Sequence, residues 1–470
     1  MSRAALFAAC LSALGAIPVG AQARPQTAAP ATAQPRARDC DLQFTGVVVG
    51  KDSTTHFQSN NTAAGNQNVF VGGGFDGRCM NSDQRVTSDS AEQYGDQRFA
   101  LLIGRVHYTE KRVQLDADRL TYYMAEERLV AEGNVVGRTE TGTRFAGPRA
   151  TYLRAKVGLR PSARLDAGGR PNAWISGADA GTDAKGKDSV HVIADSIISM
   201  NDSLVYARGT VIIDRPDLIS TADSAMMDQG NELVALRIRP RVVGHGEKKF
   251  SLEGATIDIK SKDRVAERVR SSGNAKATSD EMNLAADSID MRMADQKLSR
   301  AIAWGMTGAR ASQPGRDITA DSIDVIMPGQ IIQAMHAVRR ARVESIPDST
   351  QIRSKLRDWF SGDTIDAAFT RPPPSDTAAQ ATLKQLTSRG NAKSMQQGAR
   401  SGVPLPDSTP ATNYMSGRRM TVDFNPDKTV NELRVVGQVT GLLVQPATDS
   451  TKKKPVPVPP KKPGTEPKQP

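Results

Sequence analysis

One short pattern returns along most of this chain: a small residue, then aspartate, then alternating aliphatic residues. It reads Ala117-Asp118-Arg119-Leu120-Thr121-Tyr122, Ala194-Asp195-Ser196-Ile197 and Ala222-Asp223-Ser224-Ala225-Met226-Met227. It continues as Gly254-Ala255-Thr256-Ile257-Asp258-Ile259, Ala286-Asp287-Ser288-Ile289-Asp290-Met291 and Ala320-Asp321-Ser322-Ile323-Asp324-Val325. The steps from Ala194 through Ala222, Gly254 and Ala286 to Ala320 are 28, 32, 32 and 34 residues, and weaker copies begin at Ser88, Gly147, Gly362 and Gly417. Such a period marks stacked units, each too small to bury its own apolar face. It overrides the three domains that 470 residues would otherwise suggest at about 150 each.

Each unit has two halves. An alternating strand follows the small-Asp step, then a polar turn such as Met293-Ala294-Asp295-Gln296, then a second strand such as 298–304. Gly-Asn pairs at Gly133-Asn134, Gly273-Asn274 and Gly390-Asn391 predict turns or bulges near the second strand. Period-2 spacing puts Leu120 with Tyr122, Ile257 with Ile259, Ile289 with Met291 and Ile323 with Val325 on one dry face. Leu115, Val192, Leu252, Leu284 and Ile318 lie five residues upstream, an odd separation that puts them on the opposite face of a straight strand. The small-Asp step is therefore predicted to be a bulge or corner that swaps the phase, with aspartate bonding nearby backbone amides. The expected fold is all-β: an elongated β-jellyroll of about ten two-stranded units, with disordered termini. The residues leave the dry stripe open to two readings, a ligand groove or a closed core.

The segments outside the repeat are read from composition. Arg3, the apolar stretch 4–19 and Ala21-Gln22-Ala23 have the pattern of a cleavable export signal over residues 1–23. A linker is expected over 24–38 and a cysteine-bearing region over 39–83. Repeats fill 84–345, an irregular region with a weak repeat fills 346–412, and a final repeat fills 413–445. Export makes a disulfide between Cys40 and Cys79 the expected pairing, tethering the N-terminal region. The segment 446–470 is a Pro/Lys-rich tail. Its last twenty residues hold seven prolines and six lysines against one glutamate, so much of the formal +11 charge lies outside the fold. An anionic envelope polymer fits that tail in an exported chain, and a solvated tail with no partner fits it equally. Nucleic acid does not, with 21 aromatic residues in the whole chain.

Catalytic and metal chemistry find no footing. His56, His107, His191, His245 and His336 are scattered without ligand spacing, and Gly72-Gly73-Gly74-Phe75-Asp76-Gly77 lacks the Lys-Ser/Thr of a phosphate loop. Paired acids on stacked strands serve glycosidases, but Asp118, Asp195, Asp223, Asp287 and Asp321 occupy equivalent repeat positions. A catalytic pair is singular, whereas these are copied from rung to rung. A structural role at the turn is expected for them, with no enzyme activity and no cofactor.

The small-Asp-x-apolar steps, with strand-Gly-Asn returns such as Leu129-Val130-Ala131-Glu132-Gly133-Asn134-Val135, resemble the OstA-like (organic solvent tolerance-like) domain of lipopolysaccharide transport. That domain is shared by LptA and by the periplasmic part of LptD. The resemblance covers about 84–343 well and 414–444 less well. It implies a β-jellyroll, or β-taco, whose interior shields lipid A acyl chains in the periplasm during outer-membrane assembly. The groove residues would be Leu120, Tyr122, Ile197, Met227, Ile257, Ile259, Ile289, Met291, Ile323 and Val325. Implied partners are lipopolysaccharide itself and LptC-like and LptD-like envelope proteins joined by edge-strand pairing. The chain departs from the family in its ten or so units, its cysteine-bearing region and its tail, and nothing after Val444 can form a barrel. An exported β-solenoid that presents its outer face to an envelope polymer is the alternative, and a polysaccharide-active enzyme a remote third.

Overall fold

The computed structural model describes the backbone of Leu42–Gly46 and residues 56–445, apart from 80–81, 176–189, 202, 247–248, 348–353, 372–380, 399–409 and 428. The export signal 1–23, the linker 24–38 and the tail 446–470 lie outside the described residues. The strands, numbered β1 to β28 in chain order, belong to one sheet, and their pairings are antiparallel. The expected all-β class is what the chain forms.

The architecture follows from one repeated irregularity. In β6 (Val113–Tyr123), Val113, Leu115 and Ala117 face inward, Asp118 and Arg119 are both exposed, and Leu120 and Tyr122 face inward again. The strand thus changes phase at its small-Asp step. Its neighbour β7 (Arg128–Thr139) carries one residue more across the same stretch, so pairing jumps from Asp116↔Val136 to Arg119↔Glu132. The extra length is taken up by Gly133 and Asn134, with φ of +76° and +45°. Equivalent consecutive left-handed pairs occur at Gly104-Arg105, Gly209-Thr210, Gly273-Asn274, Arg339-Arg340 and Gly390-Asn391. Each lies at a register shift in its own strand. The glycine run does the same, with Gly73 and Gly74 between the pairs Gly72↔Ser90 and Phe75↔Ser88.

These irregularities align from strand to strand and crease the sheet along its length. At five places the crease cuts the strand outright, as between β9 (Arg164–Gly168) and β10 (Asn172–Ile175). This is why the strands outnumber the twenty or so that the repeat predicts. The two halves of each strand lie on two half-sheets whose inner faces share one buried cluster. Leu115, Val192, Leu252, Leu284 and Ile318 come from one half-sheet, and Leu120, Ile197, Ile257, Ile289 and Ile323 from the other. The free margins, made of hairpin turns, meet at a seam opposite the crease.

The aspartates brace the crease. Asn134 Nδ2 donates to Asp118 at 2.9 Å, Arg105 Nε to Asp89 at 2.9 Å and Arg239 Nε to Asp223 at 3.0 Å. Arg340 Nε donates to Asp321 at 2.7 Å, and Asn391 Nδ2 reaches Asp363 at 3.2 Å. In each case the second left-handed residue of the bulge bonds the aspartate that faces it, the structural role expected of the repeated carboxylates.

Two segments hold more strand than their composition indicates. The Gly- and Ala-rich stretch 160–175 contains β9 and β10, and 346–412 contains β24 (Asp358–Thr370) and β25 (Thr382–Gly398). Gly362-Asp363 and Gly390-Asn391 provide the same crease there. Trp359 and the Arg371-Pro372 junction masked that signal in the sequence. Cys79, at the end of β3 (Gln67–Cys79), is disulfide-bonded. Its expected partner Cys40 lies outside the described residues.

Candidate lipid-binding interior and the seam that closes it

All ten residues assigned to the groove point into the space between the half-sheets, and each is at most 5% exposed. Ile257, Ile259, Ile289, Ile323 and Val325 are wholly buried. The facing half-sheet contributes Leu115, Val192, Leu252, Leu284 and Ile318, also at most 5% exposed. The sequence therefore located the inner surface of both halves. In the free chain the side chains of the two half-sheets pack against one another across that surface. Beside Leu102, Leu120 and Leu129 a cavity of only about 20 Å³ remains, no larger than a single water needs.

Tyr122 departs from its expected role as apolar lining. Its ring is buried, but its hydroxyl donates to Glu127 Oε2 at 2.9 Å. Glu127 belongs to a polar tie across the seam that the sequence analysis missed. On one margin Tyr108 donates to Glu110 Oε2 at 2.8 Å. From the other margin Tyr152 donates to Glu110, Arg154 Nε reaches Glu110 Oε2 at 2.8 Å, and Arg154 Nη1 reaches Glu127 at 2.6 Å. Burial, then the neighbouring Glu110, pushes the Tyr108 phenol well above its usual range, and burial, then Glu127, does the same to Tyr122. For Arg154, burial pulls downward, but Tyr108, Glu110 and Glu127 outweigh it and raise its pKa. These phenols remain neutral donors and Arg154 a cation across the physiological range.

A second tie crosses the seam further along the chain. Arg215 and Asp217 flank Pro216 in the turn between β13 (Leu204–Asp214) and β14 (Leu218–Asp228), with side chains only 2% and 0% exposed. Arg215 donates through Nε to Asp217 at 3.3 Å, through Nη1 to Ser261 Oγ at 2.9 Å and through Nη2 to the Arg264 carbonyl at 2.5 Å. The Ala266 amide donates to Asp217 Oδ2 at 2.6 Å. Ser261, Arg264 and Ala266 lie at the turn joining β18 (Thr256–Lys262) to β19 (Val265–Ser279), on the opposite margin. Arg215 Nη1 and Nη2 thus cross the seam, while Nε holds the guanidinium against Asp217 in its own turn. The signal for these ties was faint in the sequence: Tyr108-x-Glu110 and Arg215-Pro216-Asp217 each place polar groups at a strand end, where exposure is the ordinary outcome.

Asp317 supplies a weaker, pH-sensitive brace on one margin. It accepts from Arg310 Nε at 3.3 Å and Arg357 Nη1 at 2.6 Å. Hydrogen bonds from Ser312, then from Arg310 and Arg357, hold its carboxyl at about 2. A depressed folded-state pKa contributes stability above the unfolded value of about 4 and loses it as pH falls from there toward 2. Asp317→Asn should lower stability at pH 7 by about 1–2 kcal/mol, and thermal unfolding should show the two proteins converging by pH 2. A gap as large at pH 2 as at pH 7 would mean the substitution acts through packing and not through charge.

Among the described residues, no group of three or more His, Cys, Asp or Glu side chains is placed to hold a metal ion. The site geometry defines an all-β folded sheet with an aliphatic interior and a polar-tied seam. No family profile matches the chain, and no curated protein matches it. Among solved structures, similarity is found to LptH, the LptA homologous periplasmic component of the lipopolysaccharide transport device of Pseudomonas aeruginosa. The two are 18% identical over 26% of this chain and 85% of that one, with a TM-score of 0.22.

Proposed function

We propose that this chain is a non-enzymatic periplasmic shield for acyl chains, a bridge component of lipopolysaccharide transport and outer-membrane assembly. One observation carries the reading: an aliphatic inner surface runs from rung to rung on both half-sheets, and among the described residues covalent chain joins those halves along the crease. The opposite side is held by side-chain ties. Parting the seam would expose the interior without breaking the ladder within either half-sheet.

Energetics decide how such a shield works. Each methylene withdrawn from water gains about 0.8 kcal/mol, so a chain of ten or more offsets several kcal/mol of separation between the half-sheets. The interior that is filled in the free protein becomes the binding surface when an acyl chain takes the place of the opposing side chains. The saccharide stays in water, and no bond is made or broken, so catalytic residues and cofactors have no part. The export-signal pattern of residues 1–23 supports a periplasmic location, and partners resembling LptC and LptD would join at sheet edges.

Photo-crosslinking residues placed singly at Ile257, Ile289 and Ile323 should label lipopolysaccharide in cells, while the same residue at exposed Leu159 and Met306 should not. Equal labelling at inner and outer positions, or none at the inner ones, would rule the reading out.

A further inference from the structure

The seam is not uniformly closed. Two clefts of similar size flank the Arg215–Asp217 tie. One, of about 520 Å³, lies between the margins around Ile175, Val190, Met227, Leu233 and Val234. The other, of about 540 Å³, runs past Pro216, His245, Lys297 and Gln330. Only the first reaches the inner surface. Its lining includes Met227, a member of the inward stripe, with Ile175 and Val234, which are buried within the same fold. The second is lined by turn residues and contains no member of the stripe.

One of the residues lining the first cleft carries an unanswered donor just beneath its wall. Gln229 lines it, and the buried side-chain Nε2 has no hydrogen-bond partner among the described residues. A buried donor left unpaired is costly, so a turn of the Gln229 amide toward the cleft favours an occupant that brings an acceptor. The rim narrows the choice. Asp228, Glu232 and Asp263 supply three carboxylates, against Arg264 and an Arg215 that is paired with Asp217 and bonded across the seam to Ser261 and Arg264. An ionised carboxylate or phosphate next to Gln229 meets net repulsion there, whereas a neutral carbonyl does not.

We propose that this cleft is a lateral mouth through which an ester- or amide-linked acyl chain enters the interior, its carbonyl received by Gln229 Nε2. The proposal rests on the acyl-shielding reading and adds the place of entry and the kind of linkage accepted. The apolar wall of Ile175, Val190, Leu233 and Val234 takes the chain, Met227 passes it to the stripe, and the acidic rim turns away free fatty acids.

The test is equilibrium dialysis of the full mature chain with glycerol monolaurate and with laurate, two probes that share one alkyl chain and differ in headgroup. Monolaurate should bind at least fivefold more tightly, and Gln229→Leu should close most of that gap. Leu233→Trp, which narrows the mouth at a half-buried position, should weaken monolaurate binding at least tenfold, while Gln330→Trp in the other cleft should leave it unchanged. Val190→Trp, from the facing margin, repeats the block should Leu233→Trp fail to fold. Laurate binding as tightly as monolaurate would overturn the proposal. So would unaltered binding in both mouth variants while Ile257 still crosslinks lipid, an outcome that leaves the acyl-shielding reading in place. Loss of crosslinking at Ile257 would instead remove that reading.

Discussion

Asp217→Ala should destabilise the seam by about 3–5 kcal/mol, the usual cost of leaving a buried charge without its partner. Both side chains of the Arg215–Asp217 pair are essentially inaccessible, and burial already pulls the Arg215 guanidinium below its usual range, with Asp217 opposing that pull. Removing the carboxylate strands a cation and also orphans the Ala266 amide. Repeat architectures need not unfold in one step, so a local readout is required alongside global denaturation. Hydrogen exchange at the Ala266 amide provides it, because this proton is donated to the Asp217 carboxylate. Exchange there should accelerate more than a hundredfold, while amides in the β24–β25 ladder stay as they were. The paired replacement Arg215→Met with Asp217→Leu should recover most of the loss, since apolar substitutes for a buried ion pair are often neutral or stabilising. A single variant costing under about 1 kcal/mol would show that the tie does not hold the seam.

The same measurement bears on function. If the seam parts to admit acyl chains, weakening the tie raises the open population, and apolar ligands should bind faster to Asp217→Ala than to the parent. Burial of Arg215 then has a physical purpose beyond stability. A closed, dry interior keeps the aliphatic stripe from offering an exposed apolar patch to other chains, and a polar tie fixes one register of closure where apolar packing alone would tolerate several.

The fold was legible because its signals are local and repeated. The phase swap at Ala117-Asp118 follows from counting between Leu115 and Leu120, and the left-handed pair at Gly133-Asn134 follows from residue type. Both are properties of a few adjacent residues. Crease positions without glycine were harder to see, as at Arg339-Arg340, where both residues take positive φ because the neighbouring rungs impose it. The inner surface was legible for the same reason as the fold, through alternation. What sequence alone left undecided was whether the two inner surfaces touch. That depends on the seam, and Glu110 with Arg154 or Arg215 with Ser261 are 44 and 46 residues apart with nothing periodic to announce them. Tyr122 shows the limit within one residue: alternation placed its ring inside, but only its partner Glu127 reveals that the hydroxyl serves the tie.

Gly133→Ala should cost about 2–4 kcal/mol, with most of the loss falling on the crease of its own rung. Two penalties combine. A residue with a Cβ held in the left-handed region loses about 1–2 kcal/mol, and Gly133 sits at φ +76°. The added methyl would also lie 2.4 Å from the Asp118 carboxylate oxygen and 2.9 Å from its Cβ, so the aspartate must leave its bulge. That breaks the Asn134–Asp118 hydrogen bond, and the brace is lost with it. Asp118→Gly relieves the clash but not the backbone strain, so the double variant should recover about half of the deficit, and the departure from additivity measures the Asp–Gly couple. Gly315→Ala is the matched control, since its φ is +74° but its Cβ would meet nothing within 4 Å; strain alone should cost it only about 1–2 kcal/mol. If the two alanine variants prove equally stable, the aspartate does not brace the crease, and the small-Asp repeat records a turn preference only. If Gly133→Ala is the worse and Asp118→Gly restores part of it, the recurring pair is a hinge part, copied along the chain to hold the two greasy half-sheets at one angle.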